Sequence, residues 1–191
     1  MSKLKQQFQN SAREFESPRT LAVVAVLIAL NLALDALNIR IQLTPQLRIG
    51  FSFLTRATVG MLFGPVVAMT AGAAADFLGW LVNNGGGAYF PGFTLTAVLA
   101  GMIWGIALYQ KPLRWYRVLA AKFSINIFLN IFLNSFWLYL YYGKSFQLAT
   151  LPLRIGKNLI LLPLEVLMTV LLGRFILKIN QNSSYQHRNR R

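Results

Sequence analysis

Residues 122–134 read KFSINIFLNIFLN, and the polar side chains in this run recur at every fourth position. Lys122, Asn126, Asn130 and Asn134 would share one face of a helix, because each step of four residues turns a side chain by only about 40°. Nearly all the other positions hold Phe, Ile or Leu. An unpaired amide is costly in hydrocarbon, so the asparagine face should point inward. Interhelical hydrogen bonding and a polar cavity both explain this pattern, and a ladder of three asparagines favours the cavity.

The composition of the 191-residue chain is that of a membrane protein. Apolar residues make up 55% of the sequence, the mean hydropathy is +0.49, and only 13% of the residues are charged, well below the share in soluble domains. The net charge of +14 would suggest nucleic-acid binding in a soluble protein, but these Lys and Arg residues lie in the tails and between apolar runs. Membrane orientation explains them better, so we expect no nucleic-acid partner. Cysteine is absent, and we predict no metal site and no cofactor.

The apolar segments predict an all-α integral membrane protein with six transmembrane helices. A spanning helix needs about 20 residues, so the second and third segments are short, and the Gly64-Pro65 step would form a tight turn between them. We expect a cytoplasmic tail over residues 1–19, a six-helix membrane domain over 20–177 and a basic cytoplasmic tail over 178–191. The six segments lie at about 20–37, 52–65, 66–82, 93–110, 118–142 and 151–177.

The distribution of Lys and Arg predicts the orientation. Twelve of these residues fall in the two tails and in the 111–117 loop, whereas only Arg40, Arg48 and Lys144 fall in the opposite loops. Under the positive-inside rule, this bias places both termini in the cytoplasm.

The first predicted helix carries different residues on its two faces. Ala22, Ala25 and Ala29 lie on one side, and small residues allow another helix to approach closely. This alanine face fits packing within the bundle and a surface for a partner membrane protein equally well. Asp35 and Asn38 lie near the outer end, where we expect them to line the mouth of a pocket.

The loop over residues 83–92, NNGGGAYFPG, is predicted to face outside. Its three consecutive glycines allow movement, and Tyr89 and Phe90 supply aromatic surfaces that can clamp a ligand. We therefore predict a lid over a pocket. A flexible connector would also contain glycines, so that alternative stays open.

Charged residues converge in the outer half of the membrane domain. Arg56 lies early in the second segment and Asp76 lies late in the third, so the two could pair, or Asp76 could contact a ligand. Arg154 and Lys157 open the sixth segment, beside the expected position of Asn134. Amides and carboxylates can form hydrogen bonds with the N–H and C=O groups of a ring, while Arg and Lys bind carboxylates. The predicted pocket therefore suits an anionic solute with a flat polar ring system.

One further acidic residue lies deep in the last segment. Glu165, close to Pro163, is expected to form a pair, with Lys122 as one candidate, or to accompany a helix kink. The full set of predicted substrate-binding residues is Arg56, Asp76, Tyr89, Phe90, Asn130, Asn134, Arg154 and Lys157.

Residues 53–105 resemble the S components of energy-coupling factor vitamin transporters. This block reads FLTRATVGMLFGPVVAMTAGAAADFLGWLVNNGGGAYFPGFTLTAVLAGMIWG; it shares the Gly-Pro turn, a small-residue third helix ending in Asp-x-x-Gly, and a Pro-Gly-Phe entry to the fourth. Ala25-x-x-x-Ala29 matches the small-residue motif of the family. The chain is most similar to the folate-specific branch, which the asparagine-bearing fifth helix and LRIGKN at 153–158 also fit. The resemblance extends over about residues 20–177.

This resemblance implies a multi-pass protein of the bacterial cell membrane that captures folate from outside with high affinity. Transport then requires a membrane-embedded coupling (T) subunit and two cytoplasmic ATPases. ATP would be used by those partners alone, because the sequence contains no Walker A motif. The alanine face of the first helix would be the docking surface for the coupling subunit. The pterin would bind at the asparagines, and the two carboxylates of the glutamate tail near Arg154 and Lys157.

Other functions stay open at this point. A membrane enzyme would need a catalytic constellation, but the single histidine, His187, lies in the basic tail and the five acidic residues are scattered. We therefore expect no enzyme activity. A stand-alone secondary transporter could use the intramembrane charges to couple ions. Within the family, pantothenate or a thiamine precursor such as hydroxymethylpyrimidine could replace folate.

Overall fold

The computed structural model of the protein is built almost entirely from helices. Its backbone is described for residues 3–37, 41–42, 48–49, 51–82, 88–142 and 144–188, and its side chains for 3–37, 51–82, 88–141 and 151–179. The elements are α1 (Lys3–Arg13), a 3-10 turn (Glu14–Glu16), α2 (Pro18–Ala36), β1 (Ile41–Gln42), β2 (Arg48–Ile49), α3 (Ser52–Val82), α4 (Pro91–Leu108), α5 (Trp115–Ser124), a π-helix (Ile125–Leu133), α6 (Asn134–Tyr142) and α7 (Lys144–Arg188).

The helices support the predicted membrane class. Within the described part of the chain, five helical segments are long and apolar enough to cross a membrane: α2, α3, α4, the continuous run Trp115–Tyr141, and Leu151–Ile179 within α7. The run from α5 through the π-helix to α6 is one span. Two short strands, β1 and β2, pair antiparallel between α2 and α3, with Ile41 opposite Ile49. They are a local departure from the all-α prediction.

A break at Gly64 divides α3 into two arms, over residues 52–63 and 65–82. Gly64 has a φ of +85° and a ψ of −173°, a conformation that a residue with a side chain rarely adopts. A Cβ at this position would also lie 2.7 Å from the Cβ of Ser11. Pro65 lacks an N–H and is tolerated in the first turn of the second arm. The break falls at the step where the sequence predicted a turn.

Helix α1 packs against this break. Gln7 Nε2 donates to the backbone carbonyl of Tyr109 at 2.8 Å. The buried hydroxyl of Ser11 donates to the carbonyl of Phe63 at 2.7 Å and accepts from the backbone N–H of Val66 at 3.0 Å. Ser11 therefore caps the second arm of α3 and joins it to the end of the first. Although α1 was expected to form part of a tail, it is a folded helix that fastens α3 to the end of α4.

Helix α4 lies against both arms of α3 through small residues. A Cβ on Gly60, in the first arm, would lie 2.9 Å from the backbone nitrogen of Gly105. A Cβ on Gly72, in the second arm, would lie 2.6 Å from the carbonyl oxygen of Ala97. Only glycine permits backbones to approach this closely, as in other helix pairs within membranes. The two arms and α4 thus form one tightly packed unit.

The hydrophobic core joins this unit to the rest of the bundle. Trp104 of α4 is 1% exposed. Val118 of α5, Leu129 of the π-helix and Val166 of α7 belong to the same buried cluster. The core therefore fixes how α5, the π-helix and α7 are placed around α4.

Candidate functional site

A polar cavity of about 480 Å³ lies between α2, α3, α4, α7 and the run from α5 to α6. Its volume falls in the range of small-molecule sites, about 300–1,000 Å³. Part of its wall comes from the hydrophobic core, through Ala100, Trp104 and Ile125. The other lining residues are Asp35, Ser52, Phe53, Arg56, Thr96, Lys122, Asn130, Asn134, Arg154, Lys157, Asn158 and Glu165.

The asparagine ladder connects this cavity to α7. Asn126 Nδ2 donates to the backbone carbonyl of Asn158 at 3.0 Å. Asn130 Nδ2 donates to Asn126 Oδ1 at 3.1 Å and to Asn158 Oδ1 at 3.2 Å. Asn134 lines the cavity, and its buried Oδ1 has no hydrogen-bond partner among the described residues. Both interpretations of the ladder therefore apply, because Asn126 ties two helices together while Asn130 and Asn134 line the cavity.

Asn126 and Asn130 lie on a π-helix instead of the α-helix that the spacing predicted, while Lys122 belongs to α5 and Asn134 begins α6. Residues 125–133 have the i to i+5 pattern, and the N–H of Asn134 donates to the carbonyl of Leu129. A turn then holds more than four residues, so a step of four falls slightly short of a full turn instead of slightly past it. The asparagines stay on one face because the deviation is small in either direction. Such segments are rare and frequently occur at functional sites.

A buried ion pair lines the cavity. Lys122 Nζ lies 3.0 Å from Glu165 Oε2, and the two side chains are only 6% and 13% exposed. Lys122 Nζ also lies 4.8 Å from the ring centre of Phe53, which is a cation–π contact. The expectation that Glu165 forms a pair is confirmed, and its partner is Lys122.

Arg56 has no direct acidic partner among the described residues. Asp76 and Asp35 stabilise its charge electrostatically, but neither carboxylate forms an ion pair within 4.0 Å of Arg56 among the described residues. The alternative in which Asp76 pairs directly with Arg56 therefore does not hold among the described residues. Arg56 instead lines the cavity with two carboxylates at longer range.

The charges around the cavity leave a positive excess. Lys122 and Glu165 neutralise each other, and Asp35 offsets one of the remaining cations. Among the described residues, the four cations that line the cavity therefore exceed the two carboxylates by two charges, which complements a dianion. The cations are Arg56, Lys122, Arg154 and Lys157, and the carboxylates are Asp35 and Glu165.

Two of the predicted ligand residues form an anchor outside the cavity lining. Thr94 Oγ1 donates to Asp76 Oδ2 at 2.7 Å and lies 2.5 Å from the hydroxyl of Tyr89. The ring of Tyr89 also packs edge-on against Phe77 and Trp80. In this structure, Asp76 and Tyr89 hold the start of α4 against the end of α3.

Phe90, a third predicted ligand residue, also lies outside the lining. Its ring centre is 5.5–5.7 Å from those of Phe93, Trp137 and Tyr141. Trp137 Nε1 donates to Thr96 Oγ1 at 3.2 Å, and Thr96 lines the cavity. The aromatic cluster thus joins the start of α4 to α6 beside the cavity. The lid hypothesis depends also on glycines 85–87, which lie outside the described residues, so it stays a prediction.

The other five predicted residues are brought together in the lining, along with residues that were not singled out. Asn158 follows Arg154 by four positions, and this spacing on a helix was the signal that could have identified it. Asp35 was expected at the outer mouth and lines the cavity, while Asn38 lies outside the described residues. Other additions carried no sequence signal and are brought in by packing: Ser52, Phe53 and Thr96.

The alanine face of α2 points away from the bundle. Ala22, Ala25 and Ala29 are all exposed. Packing of this face within the described bundle is therefore excluded, and a surface for a partner is the interpretation that stays open. The residues that α2 buries are Thr20, Val24 and Asn31.

Comparisons with known proteins agree with this architecture. The family described as ECF transporter, substrate-specific component, matches residues 19–175. The folate transporter FolT of Clostridium novyi is 39% identical over 124 residues, which cover 65% of this chain and 71% of that protein. The folate transporter FolT of Leuconostoc mesenteroides is 32% identical over 167 residues, which cover 83% and 88%. A crystal structure of FolT bound with folic acid matches with a TM-score of 0.72 and 36% identity, over 83% of this chain and 94% of that one.

Proposed function

Because the chain belongs to the family of substrate-specific components of ECF transporters, we propose that it captures folate from outside the cell. The folate is then delivered through a shared ECF module that hydrolyses ATP. The observation that carries this proposal is the cavity, where a positive excess of two charges lies beside an unpaired amide oxygen. Folate combines a dianionic glutamate tail with a pterin ring that offers hydrogen-bond donors. The two FolT relatives and the folic-acid-bound FolT structure support the same ligand.

The lining residues suggest how folate would lie. Asn134 Oδ1 is an acceptor without a partner among the described residues, and the N–H groups on the edge of a pterin are suitable donors. Arg154 and Lys157 line the same cavity from α7 and would bind the tail carboxylates through charge-assisted hydrogen bonds. Asn130 is oriented by Asn126 and Asn158, so its amide is held in place before a ligand arrives.

Transport would require partners. The family implies a membrane-embedded coupling (T) subunit and two cytoplasmic ATPases, and the sequence itself has no Walker A motif. The exposed Ala22, Ala25 and Ala29 would form the surface on α2 that meets the coupling subunit, because small side chains permit close helix packing. The protein itself is a carrier of substrate and no enzyme.

The two arms of α3 would cross the membrane separately. Together with the other four apolar segments, they would give the six crossings that the sequence predicted. An even number of crossings places both termini on the same side. The excess of Lys and Arg in the tails and in the 111–117 loop supports a cytoplasmic location for that side. The protein is a multi-pass component of the bacterial cell membrane.

A titration of the detergent-solubilised protein with folate tests the substrate. Trp104 lines the cavity, so binding should quench its fluorescence, and Trp104→Phe should remove most of the quenching. We expect saturable binding with roughly nanomolar affinity, competed by reduced folates but not by pantothenate or thiamine. A response to another vitamin alone would overturn the folate assignment and keep the family. Sustained uptake by the protein alone in liposomes would instead indicate a secondary transporter.

A further inference from the structure

A narrow cleft between α2 and the two arms of α3 is lined by two residues that each have a buried polar atom without a hydrogen-bond partner among the described residues. The two atoms are Asn31 Oδ1 and Arg56 Nε. The Asn31 residue as a whole is 4% exposed. Buried groups of this kind are nearly always satisfied by protein or by an ordered water molecule, because leaving one unpaired costs about 1–3 kcal/mol.

The two atoms are complementary to a single water molecule. Asn31 Oδ1 can only accept a hydrogen bond, and Arg56 Nε can only donate one. Thr55, a third residue of the cleft, donates its hydroxyl hydrogen to the carbonyl of Ser52 at 2.9 Å. Its oxygen therefore keeps lone pairs free to accept. A water molecule that accepts from Arg56 and donates to Asn31 and Thr55 would use three of its four hydrogen-bonding positions, the usual number for a buried water.

The cleft has the right size for this water. Its volume is about 10 Å³, which is the smallest space that holds one water molecule. The rest of its lining is mainly apolar, including Leu27, Ile28 and Val59, so the polar groups would be desolvated if the water were missing. We propose that Asn31, Thr55 and Arg56 bind one buried water molecule, and that Asn31 is thereby a positioning residue for Arg56.

Arg56 belongs to both this cleft and the large polar cavity. With Nε held from the side of α2, the guanidinium plane is fixed and its four Nη–H donors are left for the cavity. A fixed guanidinium binds a carboxylate more tightly than a free one, because less rotational freedom is lost on binding. The water thus connects α2 to the large polar cavity, where the dianionic tail of the ligand would bind. This part of the inference rests on the proposed capture of folate.

The water itself is tested without any ligand. A crystal structure of the protein at a resolution that shows ordered solvent should contain one water within hydrogen-bond distance of Asn31 Oδ1 and Arg56 Nε. An empty cleft, or a direct hydrogen bond between the two side chains, would overturn the proposal. This test does not depend on folate. If the protein failed to bind folate, the proposed function would be contradicted, but the electron density in the cleft would still show whether the water is bound.

The positioning role is tested by three variants in the fluorescence titration. Asn31→Leu keeps the side-chain volume and removes the acceptor, and we expect folate affinity to fall about tenfold. Asn31→Ser keeps an acceptor and should restore most of the affinity, which a role in packing alone would not predict. Leu30→Ala changes an exposed residue of the same helix that lines neither the cleft nor the cavity, and it should leave the affinity within about twofold. Unchanged affinity in Asn31→Leu, or no recovery in Asn31→Ser, would overturn the positioning role.

Discussion

At the scale of single residues, the cations of α7 are the groups most directly tied to the proposed ligand. Arg154→Gln and Lys157→Gln should each weaken folate binding by at least about tenfold, because a hydrogen bond to a charged group contributes about 1.5–3 kcal/mol. The measurement is the fluorescence titration. Arg174→Gln is the control, since Arg174 is an exposed residue of the same helix outside the cavity lining. Unchanged affinity in either variant would remove that residue from the site.

The buried pair of Lys122 and Glu165 should control stability. Lys122→Met leaves the Glu165 carboxylate buried without its partner, and the free energy of unfolding should fall by roughly 3–5 kcal/mol. The double variant Lys122→Met/Glu165→Leu removes both charges and should recover much of that loss. Thermal unfolding of the detergent-solubilised protein measures both effects.

The control for this pair is Lys178→Met, which removes an exposed lysine of α7 and should not change the unfolding temperature. If Lys122→Met were as stable as the original protein, the pair would not be important for folding. If the double variant were less stable than the single one, the charges would contribute more than their burial costs.

At the scale of elements, the junction between α1 and α3 joins segments that are distant in the chain. Ser11→Ala removes the hydroxyl that caps the second arm of α3, and loss of such a cap costs about 0.5–2 kcal/mol. We therefore expect a modest fall in the unfolding temperature. Gln9→Ala, an exposed change on the same helix, is the control and should have no effect.

A stronger effect is expected at the break itself. Gly64→Ala forces a side chain into a left-handed conformation with φ of +85° and brings its Cβ within 2.8 Å of Tyr109 Cδ1. It should destabilise the protein more than Ser11→Ala, since the backbone and the packing both resist the change. Equal unfolding temperatures for Gly64→Ala and the original protein would show that the two arms do not need this turn.

The asparagine ladder shows where element-level prediction succeeds and where it fails. Side chains four residues apart share a face in an α-helix and nearly share one in a π-helix, so the common face was predictable from spacing alone. The change of helix type was not, because the i to i+5 pattern carries no sequence signal of its own here. The partner that orders the ladder, Asn158, lies on another helix.

At the scale of the whole molecule, the exposed alanine face of α2 should affect assembly without affecting capture. Ala25→Trp places a bulky ring where we expect the coupling subunit to approach, and it should abolish co-purification with that subunit and folate uptake in cells. Folate binding by the isolated protein should be unchanged, because Ala25 does not line the cavity. Val23→Trp is the matched control, since Val23 is also exposed but lies about 100° or more around α2 from each of the three alanines. Equal loss in both variants would contradict a docking surface limited to the alanines.

The sequence by itself determined the class and the family of the protein. The features that indicate the class are local in the sequence: hydropathy, the positions of Lys and Arg, and the Gly64-Pro65 step. These features can be identified without knowing which helices pack against each other. The motifs between residues 53 and 105 indicated the transporter family in the same way. Five of the eight proposed site residues also followed from spacing and from the expected depth of each segment in the membrane.

Only the tertiary structure decided which side chains share the cavity. Asp76 and Tyr89 have side chains suited to binding a ligand. In the structure, however, Thr94 joins them to each other outside the lining of the cavity. Phe53 has no distinguishing pattern, yet packing brings it against Lys122. The physical reason is that spacing defines the faces of each helix relative to one another, whereas its rotation and tilt against its neighbours depend on side chains far apart in the chain.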